Sequence, residues 1–301
     1  MWREDRVVAV QQREKQRLGD PDSSTDGGDP RDQDGLERQR LFGLTLVNAE
    51  AEQDVVESLM QTTPRWHPDV DPVVATPNVD ILVQLNAHPS SDAANQFRRA
   101  QYVLPDGMPL VAVAPLLGAR LKGRLAGSTL FSLLWPQLEA ANTPVLAVCS
   151  SAEIGRLLAR KTDNEFAHYL VAPMLDVANP QQLSEFVDLV VAGALRANAK
   201  FVILGIGHPK DATIIRAVLQ RWPRDHALPM FLALGGSLGM YVGLQRRAPR
   251  WVQRVGMEWF FRFVQEPRRL FRRYFVQDMA FWGIVRREMR TARHTQGRSH
   301  L

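Results

Sequence analysis

The chain has 301 residues, of which 45% are hydrophobic, and a formal net charge of +5. This length allows one sizeable core together with an appendage. The single cysteine, Cys149, excludes an internal disulfide framework, and the lack of any apolar run of about 18 residues argues against a membrane-spanning helix. The first residues lack the apolar stretch of a secretory signal, so we expect a cytoplasmic protein.

Charge is distributed unevenly along the chain. Residues 241–301 contain fourteen arginines, no lysine and four acidic residues, which gives this end a net charge of +10. The preceding residues therefore carry a net charge of −5. A mildly acidic body with a strongly basic end indicates localised binding of anions rather than a generally basic protein.

The order of predicted elements begins with a leader. Residues 1–38 are rich in Asp, Gly, Ser and Pro without apolar periodicity, so we predict that they are disordered. Residues 41–48 are typical of a strand or hairpin. Further on, we predict helices at 51–61, 79–87, 91–100, 107–119, 128–141, 152–161, 180–197 and 211–222, and strands at 71–78, 101–105, 144–150, 168–172, 200–207 and 229–236.

This alternation predicts an α/β core over residues 39–243, built on a Rossmann-like parallel sheet flanked by helices. Continuous apolar strands such as 201–205 indicate that the sheet is buried on both faces. After the core we predict a basic amphipathic helical appendage at 244–290 and a basic tail at 291–301.

Two polar segments each join a predicted strand to a predicted helix: Thr76-Pro77-Asn78 and Leu104-Pro105-Asp106-Gly107. Open parallel sheets bind ligands at the carboxyl ends of their strands. One interpretation is structural, with these polar side chains capping the helices that follow. The other is functional, because helix N-termini offer N–H groups to an anion or a sugar hydroxyl and a carboxylate in a crevice can take a proton.

Two glycine-containing segments also precede predicted helices. They are Gly123-Arg124-Leu125-Ala126-Gly127-Ser128 and Gly205-Ile206-Gly207-His208-Pro209-Lys210. The first suits a phosphate, although a surface arginine and a serine N-cap explain the same pattern. The second has the geometry of a phosphate-binding turn, but it matches neither the dinucleotide fingerprint nor the P-loop.

The most unusual stretch spans residues 246–274 and holds nine arginines, seven aromatic residues and only two acids, Glu258 and Glu266. A solvated amphipathic helix pair, a nucleic-acid surface and an anionic membrane or diphosphate surface all fit this composition. The complete absence of lysine favours the last, since the guanidinium fork matches the geometry of phosphate oxygens.

This stretch contains Arg247-Ala248-Pro249, Gly256-Met257-Glu258-Trp259, Arg262, Glu266-Pro267-Arg268-Arg269 and Arg272-Arg273-Tyr274. The succession resembles the C-terminal signature of the WecG/TagA/CpsF glycosyltransferases, and the resemblance extends over residues 41–275. It implies an inverting enzyme that moves a hexose derivative from a UDP-sugar to a polyprenyl-diphosphate-linked saccharide in polysaccharide or cell-envelope biosynthesis. Such an enzyme would lie on the inner face of the cell membrane.

The resemblance also implies roles for single residues. Asp106 matches the family's proposed catalytic base. The donor pocket would be shaped by Thr76, Asn78, Gly107, Arg124, Gly127, Gly205, Gly207, Pro209 and Lys210. The lipid diphosphate and anionic headgroups would be bound by Arg247, Arg262, Arg268, Arg269, Arg272 and Arg273. Nucleic acid is not an expected partner, and a homo-oligomer is left open.

We expect no metal ion and no cofactor. Seven histidines without an H-x-x-x-H pair argue against a zinc site, and there is no G-x-S-x-G elbow. Asp69-Val70-Asp71 matches the D-x-D pattern by which many glycosyltransferases hold a divalent ion, but it lies in a Pro-rich turn, and we interpret it as structural. Arginines and helix N-termini would then take up the charge of the leaving UDP.

The chain departs from the family pattern at several positions. Asp211 and Ala212 replace Gln and Glu of the G-x-G-x-P-K-Q-E element, and Leu238 and Gly239 replace Phe and Asp of the G-G-x-F-D-x-x-x-G loop. Cys149-Ser150-Ser151 stands where a Gly-containing turn is common. One alternative is therefore a catalytically degenerate member that still binds a UDP-sugar. Another is a nucleic-acid-binding protein that uses the basic end of the chain.

Overall fold

The computed structural model describes residues 28–162, 165–244 and 279–298, with side chains of the last helix described through Arg290. Its first strands, β1 (Arg38–Leu41) and β2 (Leu44–Val47), pair antiparallel as a hairpin. The two turn residues, Phe42 and Gly43, have φ of 57° and 69°. Positive φ at both turn residues is typical of two-residue hairpin loops.

A six-stranded sheet forms the centre of the protein, and every pairing in it is parallel. Its strand order is β4-β3-β8-β7-β5-β6. The predicted α/β class with a parallel sheet is therefore confirmed. The strands are β3 (Asp71–Ala75), β4 (Ala100–Val103), β5 (Val145–Cys149), β6 (Ala167–Val171), β7 (Phe201–Gly205) and β8 (Met230–Ala233).

Helices follow nearly every strand. They are α1 (Glu52–Gln61), α2 (Val79–Ala87), α3 (Asp92–Arg99), α4 (Met108–Val113), α5 (Gly127–Ala140), α6 (Ala152–Arg160), α7 (Pro180–Arg196), α8 (Lys210–Arg221), α9 (Ser237–Tyr241) and α10 (Met279–Arg298). The apolar helix predicted at 107–119 is shorter than expected. It gives way to a 3-10 turn at Ala114–Leu117 because Pro115 cannot continue an α-helix, and Gly118, with φ of 74°, ends the turn.

The sheet is buried on both faces because alternate residues of each strand point to opposite sides. In β7, Val202 and Leu204 belong to a core with α2, α3, α4, α7 and α8, whereas Phe201 and Ile203 belong to a core with α1, α5, α6 and α9. Helices on both faces fit the continuous apolar strands of the sequence. The interior is thus divided into two layers by the sheet.

Helix α10 packs on the first of these layers. Phe281 and Val285, each 2% exposed, enter the core, and Phe281 lies 5.8 Å from the ring of Phe42 in the hairpin turn. Arg287 donates to the Asn86 carbonyl oxygen Oδ1 at 3.1 Å. The helix extends without a break through Arg298, past the predicted boundary between the appendage and the tail after residue 290.

The segment before the hairpin covers β4, which ends the strand order of the sheet. Arg31 donates to the carbonyl oxygen of Arg98 at 2.8 Å, and Gln101 donates to that of Pro30 at 3.5 Å. Covering an edge strand with another segment limits its pairing with a second chain. Residues 28–38 therefore belong structurally to the core, although the sequence analysis placed them in a disordered leader.

A buried ion pair holds this segment in place. Arg38 donates to both carboxylate oxygens of Asp34, with Nη1 at 2.8 Å from Oδ1, and the two side chains are 10% and 2% exposed. The guanidinium carbon of Arg38 lies 5.9 Å from the centre of the Tyr102 ring, and the Tyr102 hydroxyl bonds to Ser58 and Thr62. Burial of this hydroxyl raises the pKa of Tyr102.

We predict that Asp34→Ala lowers the free energy of unfolding by about 3 kcal/mol, because it leaves the buried Arg38 guanidinium without its counter-charge. Chemical denaturation of the purified protein measures this. The control is Asp32→Ala, which removes an exposed carboxylate two residues away. Equal stability of the two variants would contradict a stabilising role for the pair.

A second close contact joins the end of β7 to α9. A Cβ atom added to Gly205 would lie 2.7 Å from Cδ2 of Leu238 and 3.2 Å from the carbonyl oxygen of Val148. Leu238 is fully buried and occupies the position where Phe is usual in the family that the sequence resembles. Only glycine therefore leaves room for Leu238 at this point.

Gly205→Ala should destabilise the fold by about 1–3 kcal/mol through overpacking. Gly207→Ala is the matched control, since nothing lies within 4 Å of its added Cβ. Denaturation curves of both variants test this difference. The Gly205→Ala substitution should cost less stability when Leu238→Ala is already present, because the smaller side chain leaves room for the added Cβ. A loss of stability in Gly207→Ala as large as that in Gly205→Ala would contradict overpacking as the cause.

Candidate functional site

Four of the predicted motif segments lie at the carboxyl edge of the sheet, after β4, β3, β8 and β7, which are neighbours in that order. Backbone hydrogen bonds join the first two: Leu104 N donates to Ala75 O at 2.8 Å, and Asp106 N donates to Pro77 O at 3.0 Å. At the other end, a Cβ on Gly235 would lie 3.9 Å from Cα of Gly207. The edge is a continuous row of loops, as expected for a ligand site in such a sheet.

In this row of loops, the Asp106 carboxylate accepts hydrogen bonds from two other residues. Its Oδ1 accepts from Arg124 Nε at 3.1 Å and lies 3.0 Å from Arg124 Nη2, while its Oδ2 accepts from the backbone N–H of Gly127 at 3.4 Å. The Asp106 and Arg124 side chains are 24% and 18% exposed. The carboxylate is therefore held in one orientation while part of it stays accessible from solvent.

The helix-capping interpretation of Asp106 is not what the structure shows. The N-cap of α4 is Gly107, without a side-chain cap, and the carboxylate points toward α5 instead. Gly127 is the first residue of α5, so Asp106 receives an N–H from the positive end of another helix. Arg124, expected to bind a donor phosphate, is brought to Asp106 as well.

Thr76 and Gly127 lie in direct contact. A Cβ on Gly127 would be 3.1 Å from Cγ2 and 3.3 Å from Oγ1 of Thr76. The missing side chain thus lets the first turn of α5 approach the end of β3. Asn78, by contrast, has the structural role that was one of its two interpretations: its Oδ1 accepts from Ile81 N at 3.0 Å and caps α2.

The turn after β7 presents mainly backbone. Gly207 is exposed, Pro209 is the N-cap of α8, and Lys210 Nζ donates to the carbonyl oxygen of Leu175 at 2.7 Å. The Lys210 ammonium group is therefore engaged by the loop after β6. Its place in the donor pocket stays a prediction.

A pair formed within this turn was not predicted. His208 Nδ1 lies 3.5 Å from Asp211 Oδ1, with the two side chains 8% and 7% exposed, and the His208 ring meets Phe97 edge-on at 5.5 Å. Asp211, which replaces the family's Gln, also accepts from Ala212 N at 2.7 Å. The carboxylate thus points into the protein and not toward the open edge.

Two further side chains that the sequence analysis did not single out contact the loop carrying Arg124. Asn48 Oδ1 accepts from Lys122 N at 2.8 Å, and Glu52 Oε1 accepts from Ala126 N at 2.8 Å. Glu52 lies in the first turn of a predicted helix, where acids are common, so its sequence position offered no specific signal.

Other candidate groups have structural roles. Both carboxylate oxygens of Asp71 accept from Arg99 at 2.9 Å, so Asp71 takes part in a structural ion pair. Burial raises the pKa of Cys149 to about 12, so its thiol stays protonated and is not a nucleophile. Within residues 28–162, 165–244 and 279–298, no group of three His, Cys, Asp or Glu side chains is placed to hold a metal ion.

The arginine-rich stretch lies outside the described residues, as do the six predicted diphosphate ligands Arg247, Arg262, Arg268, Arg269, Arg272 and Arg273. Among the helices that the structure does describe, none is both long enough and apolar enough to cross a bilayer.

Comparison with known proteins identifies relatives of this chain. The chain is 25% identical over 195 residues to the N-acetylglucosaminyldiphosphoundecaprenol N-acetyl-beta-D-mannosaminyltransferase of Bacillus subtilis (strain 168), covering 65% of this chain and 72% of that protein. It is also 25% identical over 196 residues to the enzyme of the same name from Bacillus spizizenii, with the same coverage. The model of the glycosyl transferase WecG/TagA/CpsF family matches residues 39–295, which include the arginine-rich stretch. The chain therefore belongs to the WecG/TagA/CpsF family and is a glycosyltransferase.

Proposed function

We propose that this glycosyltransferase moves a hexose derivative from a UDP-sugar to a polyprenyl-diphosphate-linked saccharide, with inversion at the anomeric carbon and Asp106 as the catalytic base. The observation that carries the proposal is the partly exposed Asp106 carboxylate, held by Arg124 and Gly127 at the carboxyl edge of the sheet. The names of the two Bacillus enzymes support a diphosphoundecaprenol-linked N-acetylglucosamine as the acceptor class.

In the proposed reaction, the acceptor hydroxyl attacks the anomeric carbon of the donor while the bond from that carbon to the UDP oxygen breaks. Asp106 takes the proton of the attacking hydroxyl, which leaves the base neutral and the UDP anionic. A single displacement inverts the anomeric centre. Arg124 is supported as a positioning group for the carboxylate because both its Nε and Nη2 lie within 3.1 Å of Oδ1.

The donor would lie along the row of loops from β4 to β7. The proposed pocket keeps the family positions, with contact through side chain or backbone, at Thr76, Asn78, Gly107, Arg124, Gly127, Gly205, Gly207, Pro209 and Lys210. Two of these residues support the pocket structurally. Asn78 caps α2, and the missing side chain of Gly205 leaves room for Leu238. Exposed Gly207 offers a surface on which a nucleotide can approach the backbone.

The charge of the leaving UDP must be met by cationic groups or by N–H dipoles. We assign this task to helix N-termini at the edge and to arginines, without a metal ion. The lipid diphosphate of the acceptor is assigned to Arg247, Arg262, Arg268, Arg269, Arg272 and Arg273, whose planar guanidinium groups suit phosphate oxygens. The same arginines would hold the enzyme against anionic headgroups on the cytoplasmic face of the membrane.

Asp106→Asn should lower the turnover number by about 10²–10⁴-fold, because the amide cannot accept the proton. The measurement is UDP release from a UDP-sugar in the presence of a diphosphoundecaprenol-linked N-acetylglucosamine acceptor. Asp69→Asn, which changes an exposed carboxylate in a turn, is the matched control and should keep wild-type turnover. Wild-type turnover of Asp106→Asn would overturn the assignment of the base.

The donor sugar is tested with a panel of UDP-sugars on the same acceptor. Release with one donor supports the transferase and identifies the sugar.

The departures at Asp211, Ala212 and Gly239 favour a second candidate, a member that binds UDP-sugars without transferring them. Binding of UDP in calorimetry together with no release from any donor would favour that candidate over the transferase.

A further inference from the structure

We propose that Glu52 and Asn48 are positioning residues for catalysis, which hold the Arg124 loop in place beside Asp106. This proposal rests on the proposed role of Asp106. It concerns two side chains outside the motif segments described above.

The loop at residues 119–126 has no helix or strand of its own. It nevertheless carries Arg124 and leads directly into Gly127, the two groups that bond to Asp106. A segment without internal hydrogen-bonded structure takes its conformation from the contacts made by its backbone groups. The orientation of the Asp106 carboxylate therefore depends on whatever fixes this loop.

Three backbone N–H groups between residues 122 and 126 are bonded to acceptors outside the loop, and they lie on both sides of Arg124. Lys122 N donates to Asn48 Oδ1 at 2.8 Å, Leu125 N donates to Pro105 O at 3.0 Å, and Ala126 N donates to Glu52 Oε1 at 2.8 Å. Two of the three acceptors are side chains, and substitution can remove each of them without altering the backbone.

The Asn48 side chain is itself held in place, and Glu52 starts from a helix. Asn48 is 5% exposed, its N–H donates to Glu37 O at 2.8 Å, and its Nδ2 lies 3.4 Å from Glu37 Oε2. Glu52 is the first residue of α1 and is partly buried. Between them, a Cβ at Gly123 would lie 3.4 Å from Glu50 O, so the loop packs closely along this connection.

A simpler explanation of Glu52 is that its charge stabilises the N-terminus of α1, as acids in a first helical turn do. The two explanations differ in what they require of the side chain. Helix stabilisation requires the negative charge. Loop positioning requires only an acceptor oxygen at the Oε1 position, which Gln also supplies.

The experiment compares Glu52→Ala with Glu52→Gln in the UDP-release assay. Glu52→Ala should lower kcat by about tenfold to a hundredfold with little change in the KM for the donor, since a displaced catalytic group loses rate at this scale. Glu52→Gln should restore kcat close to the wild-type value. Glu57→Ala, which removes an exposed charge from the same helix, is the matched control.

Asn48→Ala should reproduce the effect on kcat, because it removes the acceptor for Lys122 N. Melting temperatures of all variants are measured beside the kinetics. A fall in stability with unchanged kcat, or a loss in Glu52→Gln as large as that in Glu52→Ala, would overturn the positioning role.

A double-substitution cycle separates this proposal from the proposed function. If Glu52 acts through Asp106, then adding Glu52→Ala to Asp106→Asn produces no further loss in kcat. A further loss equal to that of the single variant would overturn the positioning role while leaving Asp106 as the base. Wild-type turnover of Asp106→Asn alone would instead overturn the proposed function, and the comparison of Ala with Gln at position 52 would still decide whether the loop contact affects turnover.

Discussion

The candidate site depends on one ion pair, formed between Asp106 and Arg124 across 18 residues of chain. Each partner is less than one quarter exposed, and a partly buried carboxylate without a cation or N–H donors would be costly. Gly127 N supplies the second donor, at the start of α5. The pair therefore joins the loop after β4 to the helix that crosses to the other half of the sheet.

The order of the strands makes this arrangement possible. β3 and β4 form one end of the sheet, and α5 carries the chain from β4 to β5 beyond β8 and β7. The loop before α5 must consequently pass over the carboxyl ends of β3 and β4. Gly127 packs against Thr76 at this crossing, and Gly205 packs against Leu238 near the centre of the edge. A Cβ atom would be crowded at both positions, so these two glycines act through packing.

Local patterns in the sequence were sufficient to predict the strands, the two-faced burial and the strand-end position of Asp106, because each depends on residues close together in the chain. Contacts between distant segments were not predictable in this way. Glu52 bonds to an N–H group 74 residues away, and no periodicity or motif links the two positions. The same reason explains residues 28–38, whose composition suggested disorder. This segment bonds to distant residues, with Arg31 donating to Arg98 O and Gln101 donating to Pro30 O, 67 and 71 residues away.

Asp211 shows how a change within a motif can redirect a side chain. An outward carboxylate at the edge would repel a diphosphate, and the repulsion would be strong near a low-dielectric interior. In this chain the Asp211 side chain is 7% exposed, accepts from Ala212 N and lies beside His208, so its charge is directed into the first turn of α8. Lys210 is likewise turned toward Leu175 O. The turn after β7 therefore presents Gly207 and its backbone to the edge, and a diphosphate there would meet neither a repelling carboxylate nor the family's amide.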